Sequence, residues 1–514
     1  MKKTFIRNRK VRYGGITLAL TVLVITVTVL ANAVFGTLAK RYAWYSRMIS
    51  EGSYDVTEDC YALLGEAFEA VSSKAVEIIF CDLPNEENAM EDSTLDYVYK
   101  TALSLAARYP ERIRVTCYDI WTNPTTVKKY TSMEDPFTGE TTEISIKSNS
   151  VILVSEDYHR VYSYMEFFVF ANDADTSSVW AYNGEKKLAA GILRAINADT
   201  QVVCLTNNHG EAFYDYELLY LLDDAGYVIR YIDLHHEEIP ENCRLIISYN
   251  PNSDLIADEI SAKSEIDILE QFLSKEGNSF LVMLENGTPC LPNLERFLES
   301  WGVDCDYYTD RATENSYRYM VQDAAQSLTS DGYTIYGEPV KEGNSGTILE
   351  GLARPVVFKN ATSLCAAQGF VNNGNGSYTK ENRTLYSLYE SSDSSSCWAN
   401  GKVVDGGNAM LMTLTEQKLA KGASHVGVIA SSDFSEKTFL QSAVYGNSDT
   451  LLRTLDHVGK DLVPEGLTIK PFSSTDISTI TTAQMLRWTL ALSLIPAAVF
   501  TVVGVVVLVR RRRA

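Results

Sequence analysis

The hydrophobic pattern is most regular in the middle of the chain. Val202, Val203, Cys204 and Leu205 form a short apolar run suited to a buried strand. The run stops at Asn207-Asn208-His209-Gly210, residue types that favour turns and tolerate positive φ. Glu211 then opens a helical pattern whose apolar face is Leu218, Leu219, Leu221 and Leu222. Strand, tight polar turn and helix make a βα unit, and in open α/β sheets the crevice at the carboxyl ends of the strands is the usual ligand site.

The rest of the pattern divides in two. Residues 54–74 have helical spacing, VEIIF at 76–80 reads as a strand, 95–108 as a helix and 113–118 as a second strand. Residues 143–148 and 151–155 read as a hairpin that returns through 161–170. That order predicts a small thioredoxin-like layer over 45–180. Its usual dithiol is missing, because Cys81 is followed by Asp-Leu-Pro, so a structural role is expected.

A helix over 182–197 leads into a second domain, 182–470. Strands are expected at 228–232, 245–248, 280–284 and 425–430, with helices at 217–225, 258–274 and 294–301. Such alternation predicts a parallel sheet covered on both faces. Residues 370–402 are rich in Ser, Asn and Gly and include SSDSSS, so a flexible surface insertion is expected there. Residues 471–487 read as a Ser/Thr-rich linker.

Charge changes the picture at the ends. The chain has 514 residues and a formal charge of −21, but ten of its 45 basic residues sit at the two termini while all 66 acids lie between them. The middle is therefore at −31, which disfavours nucleic acid as a partner. Residues 16–38 and 488–509 carry no charge, and each would extend at least 30 Å as helix. The positive-inside rule then predicts a two-pass protein of the cell membrane. Its basic ends, 1–15 and 510–514, would be cytoplasmic and its large domain extracytoplasmic. Ala31-Asn32-Ala33 also fits a cleaved signal peptide, an alternative for the first run.

The nine cysteines are scattered singly with no CxxC or Cys/His zinc spacing, so no metal and no cofactor are expected. There is no GxSxG, HExxH or Walker loop. The sharpest constellation is Asn207, Asn208, His209 and Glu211, which either binds a polar ligand or caps and orients the following helix. Ser432 and Asp433 follow the 425–430 strand and reach the same sheet edge if that strand is parallel to the central one; their alternative role is helix capping. Catalysis by His209 and Glu211 would need a third group such as Asp433 or Cys204. His235-His236-Glu237-Glu238 reads as a solvated loop, since adjacent residues on an extended segment point opposite ways.

The order of these motifs resembles the GldG-type auxiliary proteins of ABC transport systems, first associated with bacterial gliding. The likeness is carried by VEIIF, IRVTCYDI, SNSVILVSEDYHRVYSYMEFF, Glu185 with LAAGILRAIN, VVCLTNNHGE, GYVIRYIDL, IPENCRLIISYNPNSDLIADEI, LEQFLSKEGNSFLVML, and HVGVIASSDFSE with Asn447. Where the family has glycine before the histidine, this chain has Asn208. The resemblance implies an α/β protein with a thioredoxin-like layer and a flavodoxin-like domain similar to glutamine-amidotransferase folds. It also implies that the amidotransferase nucleophile is missing. The ATPase and permease would be separately encoded partners. The expected role is a non-catalytic membrane-anchored auxiliary subunit, binding a ligand or a cell-envelope partner at Asn207, Asn208, His209, Glu211 and Asp433. A structural envelope scaffold and an external hydrolase are the alternatives.

Overall fold

The computed structural model describes residues 54–472, together with the isolated positions 487 and 510. Within 54–472 it leaves out 72–73, 87, 135–140, 157, 173–174, 198–200, 212–215, 258–263, 312, 342 and 461–462.

The first layer begins with α1 (Glu58–Ala70), whose N-cap Thr57 accepts a hydrogen bond from the Cys60 amide. It continues through β1 (Val76–Phe80), α2 (Ser93–Arg108), β2 (Ile113–Cys117), β3 (Ser150–Val154) and β4 (His159–Ser163). The strand order is β2-β1-β3-β4. The β1–β2 pair is parallel, while β3 runs antiparallel to both β1 and β4. The hairpin is therefore β3–β4. The expected first strand at 143–148 is not part of it: Glu143 closes a short strand, Thr141–Glu143, that pairs with Ser132–Glu134.

A second hairpin, β5 (Phe168–Asn172) with β6 (Asp175–Tyr182), leads to α3 (Gly184–Ile196). The sequence reading placed α3 at the start of the second domain. Its Leu188, Ala189, Ile192 and Ile196 are instead buried in the core of the first layer.

The second layer is a continuous sheet. Its strands are β7 (Val202–Thr206), β8 (Val228–Ile232), β9 (Cys243–Tyr249), β10 (Ser279–Met283), β11 (Thr334–Pro339), β12 (Val356–Lys359), β13 (Arg383–Glu390), β14 (Met410–Lys418) and β15 (Ala423–Ile429). They are ordered β8-β7-β9-β10-β15-β14-β13-β11-β12. The first five are parallel, and the pairs from β15–β14 to β11–β12 are antiparallel. Helices α4 (Glu217–Asp224), α5 (Glu265–Leu273), α6 (Pro292–Ser300) and α7 (Asn447–His457) accompany this sheet. The parallel part has the order 2-1-3-4-5 of flavodoxin-type sheets, whose switch point lies between the first and third strands, here β7 and β9.

Two expectations are corrected. The stretch 370–402 is no loose insertion. β13 pairs with β14 along its length, and Leu385, Ser387 and Leu388 have no exposed surface. Serine and tyrosines interspersed with leucines disguise a core strand, in which the Tyr389 hydroxyl is buried against Thr450 of α7.

The two-pass membrane class is also corrected, and with it the transmembrane helices and the two-pass membrane localisation. No helix among the described residues is long and apolar enough to cross a membrane. The longest, α2, has 16 residues, about 24 Å against the ~30 Å of a hydrocarbon core, and carries Asp96, Lys100 and Arg108. The apolar runs 16–38 and 488–509 lie outside the described residues.

Candidate functional site

The switch point brings four of the expected residues together. The β7 strand ends at Thr206, and Asn207 continues the ladder by donating its amide to Ile232 O at 3.0 Å. The chain then turns through Asn208 at φ 77° and Gly210 at φ 75°. Asn208 thus adopts the left-handed backbone that glycine takes most easily, and asparagine is among the few other residues that do so at small cost. Its side chain reaches Asp233 across the β8 end at 3.2 Å. The following loop binds the turn from the other side: the Asn252 and Ser253 amides donate to His209 O at 2.8 and 2.9 Å, and Asn252 Nδ2 donates to Gly210 O at 2.8 Å.

His209 is only 4% exposed and lies between two carboxylates. Its Nε2 is 3.0 Å from Glu265 Oε2, and its Nδ1 is 3.5 Å from Glu211 Oε1. Glu211 also accepts from Thr206 Oγ1 at 2.6 Å and from the His209 amide at 2.8 Å. Glu265, at the first position of α5, accepts from the Ile256 amide at 2.7 Å. Burial opposes the imidazolium charge, but the hydrogen bonds and charges of Glu211 and Glu265 outweigh it and raise the His209 pKa to about 10. Burial also opposes ionised Glu211, yet His209 and Thr206 hold its pKa below the usual range. At neutral pH His209 is therefore a cation, hydrogen-bonded to Glu265 through Nε2 and in ion-pair contact with Glu211 through Nδ1, with no lone pair to act as a base. The triad fastens the β7 turn to α5.

The remaining sequence candidates are held elsewhere. Asp433 accepts from Asn360 Nδ2 at 2.9 Å and pairs with Lys359 at 3.4 Å. Ser432 donates to Glu285 at 2.8 Å. Cys204 is fully buried, and the Cys243 thiol beside it together with burial pushes its pKa up, away from a nucleophilic thiolate. Asn447, part of the family resemblance, is buried at the start of α7. It accepts from the Val357 amide at 3.0 Å and donates to the Val357 and Phe434 carbonyls, so it fastens β12 to α7. His236 pairs with Asp233 at 2.8 Å in the turn after β8.

The sequence reading did not include Glu265, which lies 54 positions after Glu211 and is brought beside His209 only by the β9–α5 crossover. It also missed a cavity of about 250 Å³ between the two layers. Phe168, Tyr220, Leu440, Tyr445 and Ile469 form its apolar walls, and the first turns of α3 and α7 contribute Lys186 and Ser448.

The cavity's carboxylates are engaged. Asp224 pairs with Lys187 at 2.6 Å, Asp449 with Arg354 at 3.2 Å and Glu166 with Arg160 at 3.7 Å, while Glu217 accepts from Gln441. Lys186 is 8% exposed and donates to a neutral group, Ser448 Oγ, at 2.9 Å; among the described residues no carboxylate is in ion-pair contact with it. Burial lowers its pKa, and the more distant Asp224 and Asp449 only partly offset this. Asn183 Oδ1 and Gln441 Oε1, both at the cavity, are buried without a hydrogen-bond partner. A buried ammonium without a counter-ion and two unmet acceptors in a partly apolar cavity match a small organic acid that also carries a donor.

No protein-family model matches the chain, and no curated protein does. Among solved structures it is similar to one described as mmIFT52 N-terminal domain, at 15% identity and a TM-score of 0.35, covering 51% of this chain and 97% of that chain.

Proposed function

We propose that this chain is a non-catalytic binding subunit whose interlayer cavity takes a small organic acid, and that it serves a separately encoded ATPase and permease of an ABC-type system. The observation that carries the binding role is Lys186, an ammonium buried on the cavity wall without carboxylate contact. An arriving carboxylate would supply the missing charge at low local dielectric, where such a pair is strongest. The cavity is smaller than the ~300–1,000 Å³ of drug-sized sites, which suits a metabolite-sized molecule.

The non-catalytic part is supported by His209, which is held protonated between two carboxylates. The transport part rests on the sequence resemblance and on a chain with no Walker loop of its own.

Calorimetric titration of the full chain with three probes tests the binding role. Phenyllactate carries carboxylate, hydroxyl and ring; 3-phenylpropanoate lacks the hydroxyl; 2-phenylethanol lacks the carboxylate. Affinity is expected to fall in that order, and equal affinity for acid and alcohol refutes the reading. Co-purification from source cells tests the transport part. A P-loop ATPase and a multi-span permease in stoichiometric amount support it, and their absence sinks it.

A further inference from the structure

A second cluster lies away from both the switch point and the cavity, at the junction of β14, β15 and the end of α7. Glu416 on β14 and His425 on β15 are direct cross-strand partners. His457 is the last residue of α7, and its ring lies 5.8 Å from that of His425 at an interplanar angle of 65°. One ligand atom from each of the three residues lies within 4.8 Å of the others. His425 is 6% exposed, and its Nδ1 is buried without a hydrogen-bond partner. Polar side-chain atoms in protein interiors are nearly always paired, so an orphaned nitrogen on an imidazole clustered with a second imidazole and a carboxylate calls for a ligand.

We propose that Glu416, His425 and His457 bind one divalent transition-metal ion of the Zn²⁺ type. Two imidazoles and a carboxylate are the donor set of three-ligand zinc sites, which leave a coordination position for water or another donor. His457 is exposed, so the cluster reaches the protein surface.

The surrounding charge favours a cation. Glu416 and Asp456 are the carboxylates acting on His457, and the α7 carboxyl end adds its negative dipole. A tetrahedral ion with bonds of about 2.0–2.2 Å spaces its donors about 3.3–3.6 Å apart. The three groups must therefore close by about 1.5 Å or less. Rotation of exposed His457 and half-buried Glu416 about their side-chain bonds supplies that movement. The bound ion would tie the β14–β15 ladder to α7.

The pattern is hard to see in sequence. Nine and 32 positions separate the ligands, and only the β14–β15 register and the return of α7 join them. The test uses the full chain, stripped with a chelator and titrated with ZnCl₂. The expected result is one tight site, weakened at least a hundredfold in His457→Gln, an exposed position whose change spares the core. The same loss is expected in Glu416→Gln. Co²⁺ reports on the donors, because nitrogen and oxygen ligands give d–d bands without a thiolate charge-transfer band, whereas a cysteine site gives both. Failure to bind Zn²⁺, unchanged affinity in His457→Gln, or a thiolate band with Co²⁺ would each overturn the proposal.

Discussion

Replacing His209 with glutamine tests the switch-point triad. The folded protein holds the imidazole to about pH 10, against ~6.5 in an unfolded chain. At ~1.36 kcal/mol per pH unit, that gap corresponds to roughly 4–5 kcal/mol. The pKa is raised on folding, so this stabilisation is fully present below pH ~6.5 and disappears as pH rises through about 10. Glu211 behaves in the opposite sense. Its depressed pKa contributes stability above the ordinary carboxylate range that is lost as pH falls.

Glutamine can donate to one carboxylate but leaves Glu211 and Glu265 without a cation in a buried site, a loss of about 3–5 kcal/mol. Urea unfolding followed by circular dichroism at pH 6, 8 and 10 measures both effects. The wild type should lose stability steadily from pH 6 to 10, whereas His209→Gln should be destabilised at pH 6 and nearly flat above it. A variant within 1 kcal/mol of wild type at pH 6, or a wild-type profile flat to pH 10, would show that His209 is not held as a cation.

Three further substitutions probe other parts of the structure. Gly210→Ala places a Cβ at φ 75° and 3.1 Å from Asn252 Cβ, so a loss of about 1–2 kcal/mol is expected in the same unfolding assay. Leu388→Ala empties a fully buried position in β13 and should cost about 2–5 kcal/mol; a neutral outcome would return 370–402 to a surface loop. Asp223 on α4 holds Arg160 at 2.6 Å and Arg194 at 2.8 Å, linking β4 and α3 to the second layer. Asp223→Asn should destabilise by about 3–5 kcal/mol, and limited proteolysis should then cut between the layers sooner.

The parallel half of the large sheet was legible because each of its strands is a short apolar run followed by a polar turn. Residues 202–205, 228–232 and 280–284 need only period and composition to be recognised. The antiparallel half was not. In β13 the buried Ser387 looks like loop chemistry in a one-dimensional reading, although the fold places it against β14. The candidate residues show the same division. Asn207 to Glu211 stood out because turn residues and a histidine are adjacent. Glu265, Lys186 and the Glu416–His425–His457 cluster depend on crossovers and register that join residues not adjacent in sequence, 56 positions apart for His209 and Glu265 and 262 for Lys186 and Ser448. Asp433 was placed at the correct end of a parallel strand, but Asn360 and Lys359 from β12 and its following turn engage it away from His209.

The central claim is that Lys186 anchors an organic acid in the interlayer cavity. Its most direct test is titration of the full chain and of Lys186→Met with phenyllactate. Methionine keeps the length of the side chain and removes its charge. Wild type should bind one equivalent, and the variant, with an unchanged circular dichroism spectrum, should bind at least tenfold more weakly. Equal binding by both proteins, or no binding to wild type, would contradict the account.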